Sequence, residues 1–159
     1  KESLVQCDVQ VLLGPRSAAG DEHMAIPVPL PPDLKDFGVT VVQVQTLRPD
    51  ISIPLAGGGA VKSYLEHSEG DAEDVLKTSK GDSIAKAANN ITYLASWLDD
   101  VGFERLLTLL CEKAKIEIIR MPYGVRRRCA GDEEFWFNYT ADAVDTIVGN
   151  IPPAGVLRL

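Results

Sequence analysis

Apolar positions along most of this chain alternate with polar ones in short runs, the period of a half-buried β-strand. "VTVVQVQTL" (39–47) is β-branched throughout and predicts a strand. "ISIPL" (51–55) is a brief extended piece, and "AVKSYLEHSE" (60–69), "AEDVLK" (72–77) and "ITYLASW" (91–97) predict further strands. Gly57-Gly58-Gly59, Gly70-Asp71, Gly81-Asp82 and Asn89-Asn90 supply the turn chemistry around them. "DSIAKAA" (82–88) is ambiguous, because Ala and Lys favour helix while the short spacing favours a hairpin. "VQVLLG" (9–14) is apolar on both faces and closed by Gly-Pro, as in a buried strand of a covered parallel sheet.

One segment switches to the helical period. Phe103, Leu106, Leu107, Leu110, Cys111 and Ala114 share a stripe, with Glu104, Arg105, Thr108, Glu112 and Lys113 opposite. Asp99 or Asp100 is placed to cap its start, and Lys113 and Lys115 suit the dipole at its end. The stripe of Phe103, Leu107 and Leu110 is expected to pack on a sheet. After the helix the texture returns to strands: "IEIIRM", "VRRRCA", "EFWFNY", "AVDTIV" and "GVLRL", a small antiparallel module. In "EEFWFNYTADAVD" (133–145), Phe135, Phe137 and Tyr139 fall on one face of a strand, Trp136 and Asn138 on the other. One face is expected to pack the core; if a stacking platform for sugars or bases exists, Trp136 with its neighbouring arginines would make it.

"PRSAAGDEHMAIPVPLPPD" (15–33) holds Pro15, Pro27, Pro29, Pro31 and Pro32 and predicts a long, ordered surface loop. Met24, Ile26, Val28 and Leu30 alternate with polar or Pro positions there. Those four are the candidate interface residues, since such a segment presents one apolar edge to a neighbour or to its own domain.

With 45% apolar residues the 159-residue chain can build a real core. A net charge of −7 disfavours nucleic acid and anionic membrane surfaces as partners. Cys7, Cys111 and Cys129 match neither a disulfide framework nor a metal motif and suit a reducing compartment, here taken as the cytoplasm. No apolar run approaches the roughly 20 residues that span a bilayer. The chain starts at Lys1 rather than methionine, as expected of a trimmed piece of a longer protein.

Gly57 to Gly59 lack the Lys-Ser/Thr and helix of a phosphate loop, and no Gly-x-Ser-x-Gly elbow exists. His23 and His67 are the only histidines, each beside acids, a weak pattern for a metal. The carboxylates lie mostly in polar turns, where a solvated surface is the default. No catalytic, cofactor-binding or metal residue is assigned, and no cofactor is expected.

Several segments together resemble the C-terminal third of the β-galactosidases of glycoside hydrolase family forty-two. They are "VLLGPRSAAGDEHMAIP", "LRPDISIPL", "ITYLASWLDDVGFERLLTLL", "YGVRRRCAGDEEFWFNYTADAVD" and "PPAGVLRL", in the family's order and spacing. Members have a catalytic (β/α)₈ barrel, a flavodoxin-like trimerisation domain and a small C-terminal β domain. The resemblance therefore implies an α/β chain: residues 1–115 as the second half of a partial flavodoxin-like (class I glutamine amidotransferase-like) trimerisation domain, and 116–159 as a small antiparallel β domain. It implies a non-catalytic, oligomer-building portion of an enzyme that hydrolyses terminal β-D-galactosides with retention, whose two glutamates lie in a barrel. The partners implied are that barrel, in the same or a companion chain, and further copies in a trimer. The alternative is a free-standing carbohydrate-binding or protein-interaction module.

Overall fold

A computed structural model describes residues 9–159, so Cys7 lies outside the described residues. The chain divides into two compact units, the first ending at Ile116 and the second running Glu117–Leu159.

In the first unit, β1 (Val11–Leu13), β7 (Ile91–Leu94), β6 (Ser83–Ala88) and β5 (Glu73–Lys77) form one sheet in the order β1-β7-β6-β5. A second sheet is built on the long strand β4 (Ala60–Glu69), which pairs with β2 (Thr40–Thr46), β3 (Ser52–Pro54) and β8 (Ser96–Leu98). Only β1 and β7 run parallel; every other ladder is antiparallel. The chain leaves the first sheet for the second at Ala95. Its N–H donates to Ile84 of the first at 2.8 Å, and its carbonyl accepts from Glu66 of the second at 2.7 Å.

This architecture overturns the α/β, flavodoxin-like expectation. Strand is the dominant regular structure of the described residues, in four small sheets, with α1 (Asp100–Lys113) as their one α-helix. The reason lies in the connections. A parallel pair needs a crossover of a dozen or more residues, whereas β5, β6 and β7 are joined by short turns that permit antiparallel neighbours only. Ala88↔Ile91 closes the β6–β7 hairpin over Asn89-Asn90, with Asn89 in the left-handed region. That geometry also resolves residues 82–88 as strand.

Strand β7 is buried along its whole length because both faces are covered. One face meets α1 through Leu76, Ala85, Leu94 and Leu106. The other packs Ile91 and Tyr93 against Leu34, Phe37, Val39 and Val41. Asp99 caps α1 as expected. It accepts from the backbone N–H groups of Ala60 at 3.0 Å and Gly102 at 2.8 Å, which hold its carboxyl below the usual carboxylate range.

The helix faces the core through the Leu106–Leu110 edge of the predicted stripe, so that of the three residues expected to pack only Leu110 does. Leu106 is fully buried and Leu110 packs beside it, while Phe103 and Leu107 remain exposed. Gly102 and Gly59 set this rotation. A Cβ on Gly59 would stand 2.5 Å from the Gly102 nitrogen, and one on Gly102 would stand 3.0 Å from Leu55. The helix start therefore abuts the β3–β4 turn through bare backbone, and Leu106, one turn on, inherits the inward direction.

In the second unit, β9 (Val125–Ala130), β10 (Glu133–Asn138) and β13 (Val156–Arg158) form a sheet with β10 central. A hairpin of β11 (Val144–Thr146) and β12 (Gly149–Ile151) accompanies it. Val125, Trp136 and Ile151 are its buried centre. "IEIIRM" forms no strand; Ile119 and Met121 pack on that centre without a ladder partner. Its apolar period reflects burial rather than pairing. Asn138, also buried, donates to the carbonyls of Asp142, Ile151 and Pro152 and accepts from Thr140, closing the turns around β10.

Leu106→Ala should cost about 2–5 kcal/mol of stability as a cavity mutation, and Leu107→Ala well under that. Urea midpoints of the two variants check it; equal losses would mean that the helix face is assigned wrongly.

Candidate functional site

The segment 15–33 is anchored at its start by a buried carboxylate. Glu66 projects from the middle of β4 and is 1% exposed. Its Oε1 accepts the Tyr64 hydroxyl at 2.8 Å and the Arg16 backbone N–H at 3.1 Å, and its Oε2 accepts the Tyr93 hydroxyl. Three donors thus replace the water that an ionised carboxylate gives up on burial. The Arg16 guanidinium lies 6.0 Å from the Tyr64 ring centre, within cation–π range.

This environment keeps both tyrosines protonated. Burial, then the hydrogen bond to Glu66 and its charge, push the Tyr64 phenol up to about 12, against a smaller lowering by Arg16. Tyr93 is raised further, again first by burial and then by Glu66.

Beyond this anchor the segment closes a cavity of about 210 Å³, walled by Arg16, Tyr64 and Glu66 on its polar side and by Ile26, Leu30 and Val44 on its apolar side. Glu66 is the one carboxylate in the lining.

The four predicted interface positions divide. Leu30 packs against the cluster around Phe37 and Tyr93. Met24 is 87% exposed, Ile26 64% and Val28 93%. Asp21 folds the tip by accepting the backbone N–H groups of His23 at 2.8 Å and Ala25 at 2.9 Å. Arg16, Ala18 and Met24 all adopt left-handed backbone conformations uncommon for side chains other than glycine. The tip has a defined geometry, since each such residue costs about 1–3 kcal/mol and persists only where its surroundings hold it.

A second patch, half-buried at Phe135 and Phe137 and exposed at Tyr139, lies on the small sheet. Phe135, Phe137 and Tyr139 stack along β10 with ring centres 6.3 and 6.1 Å apart. Register puts Arg128 and Arg158 opposite Phe135, and Arg126 and Val156 opposite Phe137, all on that face. Arg158 pairs with Glu133 and lies over Phe135. Among the described residues Arg126 and Arg128 make no ion pair; the Arg126 guanidinium donates to its neighbour's carbonyl at 2.8 Å. Trp136 points the other way, into the core, where Glu134 accepts its indole N–H and pairs with Arg127 at 2.5 Å. Trp136 is therefore core, as the strand pattern led one to expect, and makes no stacking platform; the outward aromatic face is the opposite one.

His23 is exposed 3.5 Å from Glu22, and His67 contacts Gln45 at 3.3 Å. Cys111 and Cys129 are free thiols. No helix among the described residues is long and apolar enough to cross a membrane. Arg16, Glu66 and Tyr93 were missed in the sequence because Glu66 looks like any polar position of an alternating strand. Its one local signal is Tyr64 two residues earlier on the same face.

The chain is similar to the β-galactosidase of Thermus thermophilus, 29% identical over 149 residues, which is 91% of this chain and 23% of that protein. It is equally similar, 29% over 140 residues, to a β-galactosidase of a Thermus species. It thus spans less than a quarter of the length of the curated relatives it matches. In fold it superposes on a β-galactosidase from the psychrophilic Marinomonas ef1 with a TM-score of 0.90, at 25% identity, over 99% of this chain and 26% of that one. A family 42 β-galactosidase from G. stearothermophilus matches in fold with a TM-score of 0.67, at 18% identity, over 94% of this chain and 27% of that one. No protein-family model matches. The resemblance to the C-terminal part of these β-galactosidases holds, and the matched portion contains no barrel among its described residues.

Glu66→Gln should cost about 1–3 kcal/mol, because an amide N–H₂ then faces a donor in a dry site. Tyr64, raised in the folded state, contributes stability that is fully present below the unfolded value of 10.0 and is lost as pH climbs towards about 12. Urea midpoints at pH 9 and pH 11 should fall more for the parent chain than for Tyr64→Phe; parallel falls would remove the Tyr64–Glu66 contact from the account.

Proposed function

We propose that this chain is a non-catalytic, oligomer-building portion of a β-galactosidase that acts on terminal β-D-galactosides through a barrel located elsewhere in the protein or in a companion chain. Residues up to about 115 then belong to the region that joins subunits, and the remainder is a small C-terminal β domain. The oligomer is a trimer of identical subunits, in keeping with the family that the chain resembles. Free Cys111 and Cys129 support a cytoplasmic location.

One observation carries this reading. Met24 and Val28 stand almost fully in solvent, and Ile26 largely so at the rim of the cavity, on a segment pinned by Glu66 and folded by Asp21. Single exposed apolar residues are ordinary, but three alternating ones on a fixed tip make a contiguous patch of the kind that partners cover. The non-catalytic half of the reading rests on the Glu66 cavity, which lacks the second carboxylate the reaction requires.

Ile26→Asp combined with Val28→Asp should shift the intact protein from trimer to smaller species in light scattering, with an unchanged far-UV CD spectrum. A trimer that persists on dilution would place the contact elsewhere. The purified chain should not turn over a chromogenic β-galactoside; turnover that disappears on mutating one of its own acids would contradict the non-catalytic assignment.

A further inference from the structure

Two surfaces of this chain are uncovered in whole or in part, the second half-buried at its two phenylalanines, and each has what the other lacks. The first is the tip of segment 15–33, where Met24, Ile26 and Val28 recur every second residue and Asp21 and Glu22 stand beside them. The second is the outer face of the small sheet, where Phe135, Phe137 and Tyr139 also recur every second residue. Arg126 and Arg128 flank those rings without an ion pair among the described residues. In a chain of net charge −7, two guanidinium groups left without carboxylate partners on an aromatic face mark a site for an anion.

We infer that the tip of segment 15–33 of one copy docks on the aromatic–arginine face of the small sheet of the next copy. The contact rests on the oligomer-building reading and names its two halves. The apolar side chains of the tip cover the ring ladder of Phe135, Phe137 and Tyr139. Glu22 reaches Arg126 or Arg128, while the Asp21 carboxylate stays committed to the tip's own turn. Burying these arginines against apolar rings without an anion would be costly, so the acidic flank of the tip is part of the fit.

Such a contact is heterologous: the two patches differ, so each copy offers one patch to each of two neighbours. A heterologous contact generates a ring when its rotation closes, and three copies make the smallest ring beyond a pair. A self-complementary patch would give dimers instead.

The test is a charge swap in the intact protein, read by light scattering over a dilution series with far-UV CD as the folding control. Arg126→Glu with Arg128→Glu should raise the dissociation midpoint concentration at least about ten-fold, the effect of losing about 1.4 kcal/mol. Glu22→Arg alone should weaken assembly in the same direction. Glu22→Arg placed on the Arg126→Glu, Arg128→Glu background should recover most of the loss. Tyr139→Ala, at an exposed ring, tests the apolar half without touching charge. If the face variants assemble normally while Ile26→Asp with Val28→Asp dissociates the protein, the docking inference fails and the oligomer-building reading stands. If the face variants dissociate and the swap does not rescue, the face is an interface with another occupant, and the inference also fails. If neither set dissociates the protein, both fail.

Discussion

The first unit depends on one buried carboxylate. Glu66 sits where β4 of the second sheet passes β7 of the first, and its side chain accepts from Tyr64, Tyr93 and the Arg16 backbone. Its own N–H donates to Ala95, the residue at which the chain changes sheets. A single residue therefore ties both sheets and the start of segment 15–33 to one point. Close by on the same face of the first sheet, Lys86 is buried against Asp74 at 3.0 Å and bonds the carbonyls of Gly70 and Ala72. The polar groups of that face are paired across elements, so their geometry specifies which loop lies where, in addition to what apolar burial contributes.

That anchoring gives the exposed tip its meaning. A loop with Met24, Ile26 and Val28 in solvent would collapse onto its own domain if it were slack, because apolar side chains gain by any cover. Here Leu30 is drawn into the core, Arg16 is held by Glu66, and Asp21 closes the turn between them. What remains outside is held outside. The small sheet divides its faces: Trp136 fills the core, and the half-buried phenylalanines and Tyr139 stay outward beside Arg126 and Arg128, which make no ion pair among the described residues. Both arrangements present apolar surface, and the assembly role proposed above rests on them.

The sequence showed most of the local structure. Strand β4 falls at the predicted residues 60–69, and Asp99 caps the helix as expected. The face assignment of Phe135, Phe137 and Tyr139 against Trp136 also matches, because period-two patterns carry side-chain direction directly. Three features were not legible. The α/β architecture came from the family resemblance, against turn lengths that already demanded antiparallel pairing. The helix phase was set by a glycine contact between Gly59 and Gly102, which a count of apolar residues does not see. Glu66 was hidden because long-range partners, not neighbours in sequence, decide whether a carboxylate is surface or core.

The central claim is that the tip of segment 15–33 is a subunit contact. Hydrogen–deuterium exchange of the intact protein, at a concentration where it is assembled and at one where it is dissociated, tests this most directly. The peptide carrying Ile26 and Val28, whose amides have no backbone partner among the described residues, should be protected in the assembled protein and exchange freely on dilution. Equal, rapid exchange at both concentrations would contradict the account.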